Sequence, residues 1–458
     1  MSLRELATAL ARKEVTVTAH VEQVLSALDG LAGTPWENLV PARRDDAALA
    51  EAALLDTEIA ADRWRSPLHG VAVAVKDNID VAGMPTRCGS AALADAPPAE
   101  RDADIVARLR EAGAIVVAKS HLHEFAYGCT GEENADGPAA NPHDPSRITG
   151  GSSSGSAALV ARKAVPLAVG TDTGCSVRTP GALCGVVGLM PGAASLPTRG
   201  AFPLSTTLDH IGLLTGDVVD AGLAWGAIPG VARTPWPVAG MRVGRLRGAA
   251  FETHDPVIGD AVDRACTALT EAGAEVVDVE LPHAEELSAA YPVIVGSEAY
   301  ETHTDPRGGL PAGAIDRYTP GVAGRVRAQA DRPAVEYLRA LRSVRRMRDE
   351  ALHTLRHDHG LSGLVCATTP IRATPVGQDT TTRADGRAGL SVRSELLRMC
   401  IPFSMLGVPA VSVPAPDAPG LPAGIQLAGL GVPPGGERIP GTHPAEAIAL
   451  GLGLAAGG

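Results

Sequence analysis

The chain has 458 residues, a net charge of -12 and 20% charged residues, enough length for one large enzyme domain or two ordinary ones with a substantial core. Its acidic and basic residues are interleaved, leaving no basic stripe, and only 3% of residues are aromatic, so nucleic acid and other anionic polymers are excluded as expected partners. Seven scattered cysteines without a CxxC pair argue against a disulfide framework and a structural zinc site, and point to a reducing compartment.

The opening Met1-Ser2-Leu3-Arg4-Glu5-Leu6 carries charges where a secretory signal needs an apolar stretch. No later run reaches the ~18 apolar residues of a membrane helix. The expectation is a cytoplasmic protein with no membrane association. Ser2-x-x-Glu5 reads as a capping box opening a helix with Leu3, Leu6 and Leu10 on one face, and Val17, Val21, Val24 and Leu28 repeat that spacing. Residues 1–60 are therefore expected as an N-terminal helical layer.

From residue 71 the pattern changes to an apolar run at 71–75, a helix at 105–112 stopped by Gly113, and a second apolar run at 114–118. A helix at 156–163 and a strand at 165–169 follow. Later strands are expected at 241–246, 276–279, 363–367, 408–413 and 425–427, and helices at about 257–272, 284–302, 333–356 and 393–405. Apolar runs separated by helices imply strands covered on both faces. The expected fold is α/β: a single large domain over residues 1–458, with a mixed, mostly parallel sheet between helices. Residues 303–332 and 375–390 lack periodicity and are expected as long loops or a lid near the substrate pocket.

Two glycine/serine loops flank the helix and strand of residues 149–180. Short loops that expose backbone N–H groups beside a serine suit the stabilisation of an oxyanion, because the donors are fixed before charge develops. The residues are Gly150-Gly151-Ser152-Ser153-Ser154-Gly155-Ser156 and Gly170-Thr171-Asp172-Thr173-Gly174-Cys175-Ser176-Val177-Arg178. They resemble, position by position, the amidase signature family, in which GGSS-[GS]-G-[ES] is followed by GTD-x-G-G-S-[IV]-R. Residues 67–80 (PLHGVAVAVKDNID), 113–128 (GAIVVAKSHLHEFAYG), 141–147 (NPHDPSR) and 184–189 (CGVVGL) extend the resemblance in the expected order. It is strong over residues 60–215, the signature core, and weak toward the C-terminus.

The resemblance implies an amide hydrolase without metal or organic cofactor, acting on a small-molecule carboxamide or urea-type compound. It places the nucleophile on Ser176, the cis-serine on Ser152 with a cis Gly151–Ser152 peptide, and the base on Lys76. It further implies an oxyanion hole of backbone N–H groups at Thr173, Gly174, Cys175 and Ser176, and substrate contacts at Gly128, Cys129, Thr130 and Gly151. Asp172 and Arg178 are expected to support the loops. A serine hydroxyl is a weak nucleophile and needs an adjacent base, and a lysine serves as one only when burial drives it neutral. Acyl or amido transfer, as in a biosynthetic tailoring enzyme or the glutamine-hydrolysing part of a glutamine-dependent amidotransferase, and a catalytically weakened ligand-binding relative are the alternative functions. A homodimer is left open.

Other readings of the same residues compete. Gly151-x-Ser153-x-Gly155 satisfies a nucleophile-elbow pattern, but the preceding residues 141–149 are a polar loop where that elbow needs a strand. His121-x-His123-Glu124 lacks a third metal ligand at sensible spacing. Cys129 and Cys175 are expected as buried thiols rather than redox sensors. Cys175 departs from the family's glycine, which raises the expectation of a backbone that needs positive φ or a close approach to a ligand there, with a side chain costing ~1 kcal/mol or narrowing the leaving-group pocket. Met190 replaces the lysine of the family's Gly-Leu-Lys-Pro, and a Pro/Gly-rich insertion at 432–442 precedes an expected last helix.

Overall fold

In the computed structural model, residues 1–229, 237–306, 308–382, 388–431 and 452–453 are described; the insertion at 432–442 lies outside them. The strands are β1 (Ala42–Arg43), β2 (Ala72–Lys76), β3 (Ile115–Ser120), β4 (Leu167–Asp172), β5 (Val187–Met190), β6 (His210–Thr215), β7 (Arg242–Arg247), β8 (Glu275–Glu280), β9 (Gly363–Ala367), β10 (Thr380–Thr382), β11 (Ala388–Ser391), β12 (Ala410–Pro414) and β13 (Gly424–Gly429). The α-helices are α1 (Leu3–Ala11), α2 (Val17–Asp29), α3 (Asp45–Ala60), α4 (Asp104–Glu111), α5 (Ser154–Ala161), α6 (Arg178–Cys184), α7 (Val218–Ala227), α8 (Pro256–Glu271), α9 (Ala284–Thr304), α10 (Pro320–Arg327), α11 (Ala334–His353), α12 (Val392–Arg398) and α13 (Ile401–Leu406).

Eleven strands form one mixed sheet in the order β1-β3-β2-β4-β6-β5-β12-β13-β9-β7-β8. Parallel pairing joins β2 to β3 and β4, and β7 to β8 and β9. The middle of the sheet, from β4 through β6, β5, β12 and β13 to β9, is antiparallel. The result is a single α/β domain. The apolar runs that read as strands are buried along their whole length in β2, β3, β4 and β9. Helix α5 packs against β2, β4 and β6, and α6 against β5, β12 and β13.

Helix α5 has no polar face, since Ser154 through Val160 are all buried, so a solvated side is absent and its small residues let it sink into the core. A side chain on Gly155 would collide with the backbone of His121. The capping box at Ser2 and Glu5 is present at the start of α1, and Asp220 accepts the backbone N–H groups of Leu3 and Arg4, tying α1 to α7.

Two expected loops differ. Residues 303–332 contain α10, which has proline in its first turn and buries Val322, Ala323 and Val326; these spacings put one apolar face on the protein within an Arg/Gly-rich sequence. Residues 375–390 include the paired β10 and β11, with 383–387 outside the described residues. The helix expected at 393–405 divides into α12 and α13 at Met399-Cys400, just before Pro402. Among the described residues no helix is long and apolar enough to cross a membrane.

Candidate active site

Parallel β2 and β4 place Val75 opposite Val169, so their C-terminal ends finish side by side, with Lys76 on one and Thr171-Asp172 on the other. Openings at the carboxyl ends of parallel strands are where α/β sheets hold ligands. The loop 149–153, which leads into α5, and the loop 173–177, which leads into α6, close over this edge.

Lys76 is fully buried. Its amine donates to Ser152 Oγ at 2.8 Å, to Thr171 Oγ1 at 2.7 Å and to the Thr171 carbonyl at 3.4 Å. Burial pulls the amine's pKa down to about 7, against the opposing pull of the Asp172 and Asp209 carboxylates, because a low-dielectric surrounding penalises the charged form. The amide of Asn78 donates to the same Thr171 hydroxyl at 3.2 Å. Asp209 accepts the Thr173 hydroxyl at 2.5 Å and the backbone N–H groups of Leu204 and Ser205, and burial pushes its carboxyl up to about 6.

The Gly151–Ser152 peptide is cis. Gly151 donates its N–H to the Cys129 carbonyl at 2.7 Å, and a Cβ on Gly151 would lie 2.9 Å from the Gly131 nitrogen and 3.3 Å from the Thr130 nitrogen. Glycine at 151 is thus set by close approach, and at Gly150 by a φ of 75°. Cys129, Thr130 and Gly131 form the wall on which this loop rests, while Gly128 lies against the His123 ring. The Ser152 carbonyl accepts the backbone N–H of His123 at 3.0 Å. Ser153 donates its N–H to the Ser176 carbonyl at 3.1 Å, which joins the two loops. Its hydroxyl donates to the Thr171 carbonyl at 3.2 Å and accepts the Thr171 N–H at 3.3 Å, so Ser153 is a staple and no nucleophile elbow forms around it.

Arg178 and Asp172 form a fully buried ion pair. The guanidinium also donates to the Gly174 carbonyl at 2.8 Å, to the Ser404 hydroxyl at 2.8 Å, to Gln426 at 2.8 Å and to the Cys400 carbonyl at 2.9 Å. Asp172 accepts the backbone N–H of Val177 at 3.0 Å. Burial alone would raise the Asp172 carboxyl, yet the charge and hydrogen bonds of Arg178 hold it below its ordinary value. The turn 173–177 is therefore held from both ends. Among the described residues, the backbone N–H groups of Gly174, Cys175 and Ser176 donate to no partner.

Ser176 keeps 5% exposure where Lys76 and Ser152 have none, which makes it the residue of the three that a ligand can reach. Its Oγ makes no hydrogen bond with a described residue, so the structure brings Lys76 and Ser152 into contact and leaves Ser176 beside them unlinked.

Cys175 does not have a positive φ, so the backbone conformation does not call for glycine there; its buried thiol lies 3.9 Å from the Gly151 carbonyl. The two thiols at the site differ. Burial pushes Cys175 well above its ordinary pKa, whereas Cys129 is lowered, first by a hydrogen bond from Cys175 and then by the charges of Arg393 and Arg325. His121 bonds to Ser154 Oγ at 2.9 Å and to the Gly137 carbonyl at 3.0 Å, and His123 to Glu133 at 2.9 Å. Met190 receives the Ser404 hydroxyl at 3.7 Å from its sulfur.

Thr171 and Asn78 lie inside the motif blocks, but nothing in the sequence gives them a role; their place beside the Lys76 amine is a finding of the structure. Tyr291 on α9 is another such residue. A Cβ on Gly174 would come within 2.5 Å of its hydroxyl, and no local pattern around residue 291 signals that contact.

Residues 41–432 match a family profile described as Amidase. The chain is 35% identical over 430 residues to AtzE, a component of 1-carboxybiuret hydrolase in Pseudomonas sp. (strain ADP), covering 88% of each chain. It is 32% identical over 472 residues to GatA, the A component of glutamyl-tRNA(Gln) amidotransferase, from Moorella thermoacetica, covering 94% of this chain and 93% of the relative. Among solved structures, one described as an amidase superposes with a TM-score of 0.86 at 32% identity over 99% of both chains. The native peptide amidase from Stenotrophomonas maltophilia superposes with a TM-score of 0.80 at 28% identity, over 100% of this chain and 96% of that one.

Proposed function

The chain belongs to the amidase signature family, and from that premise we propose that it hydrolyses a carboxamide or urea-type C–N bond through an acyl-enzyme on Ser176. The observation that carries this reading is the buried Lys76 amine, with a pKa of about 7, at 2.8 Å from Ser152 Oγ. At neutral pH a large fraction of that amine is uncharged, and an uncharged amine accepts the Ser152 proton instead of donating to it.

Ser152 in turn takes the proton of Ser176, whose oxygen attacks the substrate carbonyl. The Ser176–Ser152 hydrogen bond closes on substrate binding, as catalytic contacts commonly tighten in the complex. The free N–H groups of Gly174, Cys175 and Ser176, with Thr173 beside them, stabilise the oxyanion. Ser152 returns its proton to the departing amine, and water then repeats the sequence to release the acid. Asp172 and Arg178 hold the turn in shape without touching the reacting atoms.

A second reading is favoured by the likeness to the amidotransferase component: the Ser176 acyl group, or the ammonia released in forming it, passes to an acceptor other than water. Product that forms only with an added amine or partner protein distinguishes it. The primary test is ammonia release from a carboxamide panel by the native chain and by Ser176→Ala, with fluorophosphonate labelling mapped by mass. The label falls on Ser176 and the variant is inactive; a compound turned over equally by both would sink the nucleophile assignment.

A further inference from the structure

Strands β4 and β6 run antiparallel, and Asp172 opposite His210 is the last pair of their ladder. The next position on each side is Thr173, which opens the turn 173–177, and Asp209. Side chains continue where the backbone ladder stops: the Thr173 hydroxyl donates to Asp209 Oδ1 at 2.5 Å. The other oxygen, Oδ2, accepts the N–H groups of Leu204 at 2.9 Å and Ser205 at 3.1 Å. Peptide groups that stay free for a ligand, as at Gly174, Cys175 and Ser176, are not held by their own N–H bonds. Their direction is set by the bonds of the residues beside them, before charge develops. Arg178 and Asp172 supply these on the α6 side, and Asp209 supplies them at Thr173.

The loop that carries Asp209 is itself pinned. Glu298 of α9 is buried and accepts the Ser205 hydroxyl, the Thr207 hydroxyl and, at 3.1 Å, the Thr207 N–H. Tyr337 of α11 donates to the same carboxylate at 2.8 Å. Within the loop, the Ser205 carbonyl accepts the N–H groups of Leu208 at 3.1 Å and Asp209 at 2.9 Å. Tyr291 lies about two turns before Glu298 on α9, a spacing that puts both on one helix face, and its hydroxyl stands against Gly174. One face of α9 therefore backs the turn twice, directly at Gly174 and, through the loop 204–209, at Thr173. Burial pushes the Asp209 carboxyl up to about 6, still below the value of about 7 for Lys76. Wherever that amine is uncharged the carboxylate is ionised, and an ionised acceptor makes the stronger hydrogen bond.

We propose that Asp209 is a positioning residue that aims the N–H groups of residues 174–176 at the reacting carbonyl, acting through the Thr173 hydroxyl from a loop that Glu298 anchors. This assignment rests on the amide-hydrolase reading and adds to it the residue that keeps the oxyanion donors in place without touching substrate.

The probe is an alkyl fluorophosphonate: the Ser176 oxygen bonds to phosphorus, fluoride departs, the hydroxyl proton passes to Ser152, and the phosphoryl oxygen takes the place of the oxyanion. In Thr173→Val and in Asp209→Ala the second-order rate of labelling at Ser176 falls about 10–100-fold, the range for misdirected oxyanion donors. Thr173→Ser keeps the hydroxyl and labels at close to the native rate. The double variant is little slower than the slower single one, because both substitutions remove one shared bond. Hydrogen exchange over residues 172–178, followed by mass spectrometry, reads the turn without any chemistry. It quickens about tenfold or more in each single variant whose circular dichroism matches the native chain. For a native chain that takes the label, labelling or exchange left unchanged in Thr173→Val, or a loss that Thr173→Ser does not recover, overturns the proposal; if Asp209→Ala does not fold, these two variants decide it. A native chain that takes no label at Ser176 while exchange responds refutes the nucleophile alone and supports Asp209 as the residue that holds the turn; with exchange unchanged as well, the proposal falls.

Discussion

The Lys76 amine lies 2.7 Å from the Thr171 hydroxyl, as near as it lies to Ser152, so the side chain assigned as base is anchored on a neighbouring strand as well as on the serine it serves. In Thr171→Val that acceptor is gone, which disfavours the protonated amine. The alkaline-rising limb of kcat/KM should move to lower pH, and kcat should fall about tenfold as the amine loses its fixed position. A pH–rate profile of the variant beside the native chain measures both effects.

The pH dependence of the native chain follows from the same group. Activity needs the uncharged amine, so kcat/KM rises through about pH 7 and levels off above it. Lys76→Ala should lose about 10²–10⁴-fold at the plateau, the range for general-base catalysis. Stability carries the matching signature. The folded pKa lies below the ~10.4 of an unfolded lysine, so the unfolded chain binds more protons between those values, and this group's unfavourable share shrinks as pH rises from about 7 to about 10. The stability difference between Lys76→Met and the native chain should therefore favour the variant more at about pH 7 than at about pH 10, as read by urea unfolding at both.

Arg178→Met would leave the Asp172 carboxylate fully buried without its cation, and the Gly174 carbonyl with only the longer bond from the Ser404 hydroxyl. Breaking one side of such a pair costs about 3–5 kcal/mol. Chemical denaturation should show a loss of this size, with activity lost even in the folded fraction.

Cys175→Gly should restore the family's residue with little benefit. The φ at 175 is not positive, so glycine relieves no strain and adds backbone freedom to the unfolded chain at a cost of about 1 kcal/mol. A small loss in Tm with kcat/KM within about tenfold of native is the expected result; a large gain in activity would mean that the thiol obstructs the site.

What was legible in the sequence was local. The run from β2 through α4 to β3 could be read because consecutive elements pack on one another, and residues 150–178 carry most of the site within one helix and one strand. The antiparallel middle of the sheet was not legible, since a continuous apolar run is the same in either direction and only the connections decide which way it points. Helix α10 was hidden by its Gly/Arg-rich composition, although Pro320 marks its first turn. Tyr291 was out of reach because it arrives from a distant helix, and no spacing in the chain records that. Lys76 was paired with Ser152 only through the family resemblance, for the two are 76 residues apart.

The order of strands has a consequence for synthesis. The two parallel wings of the sheet are complete by residue 367, but they do not touch; β12 and β13 lie between β5 and β9 and are the last strands of the sheet to be made. Until residue 429 has left the ribosome, β5 and β9 each present an open hydrogen-bonding edge, and the Arg178 guanidinium lacks the partners it finds at Cys400, Ser404 and Gln426. A nascent or prematurely terminated chain would thus display two sticky borders of its own sheet, and only the closing pair of strands welds the two halves into one body.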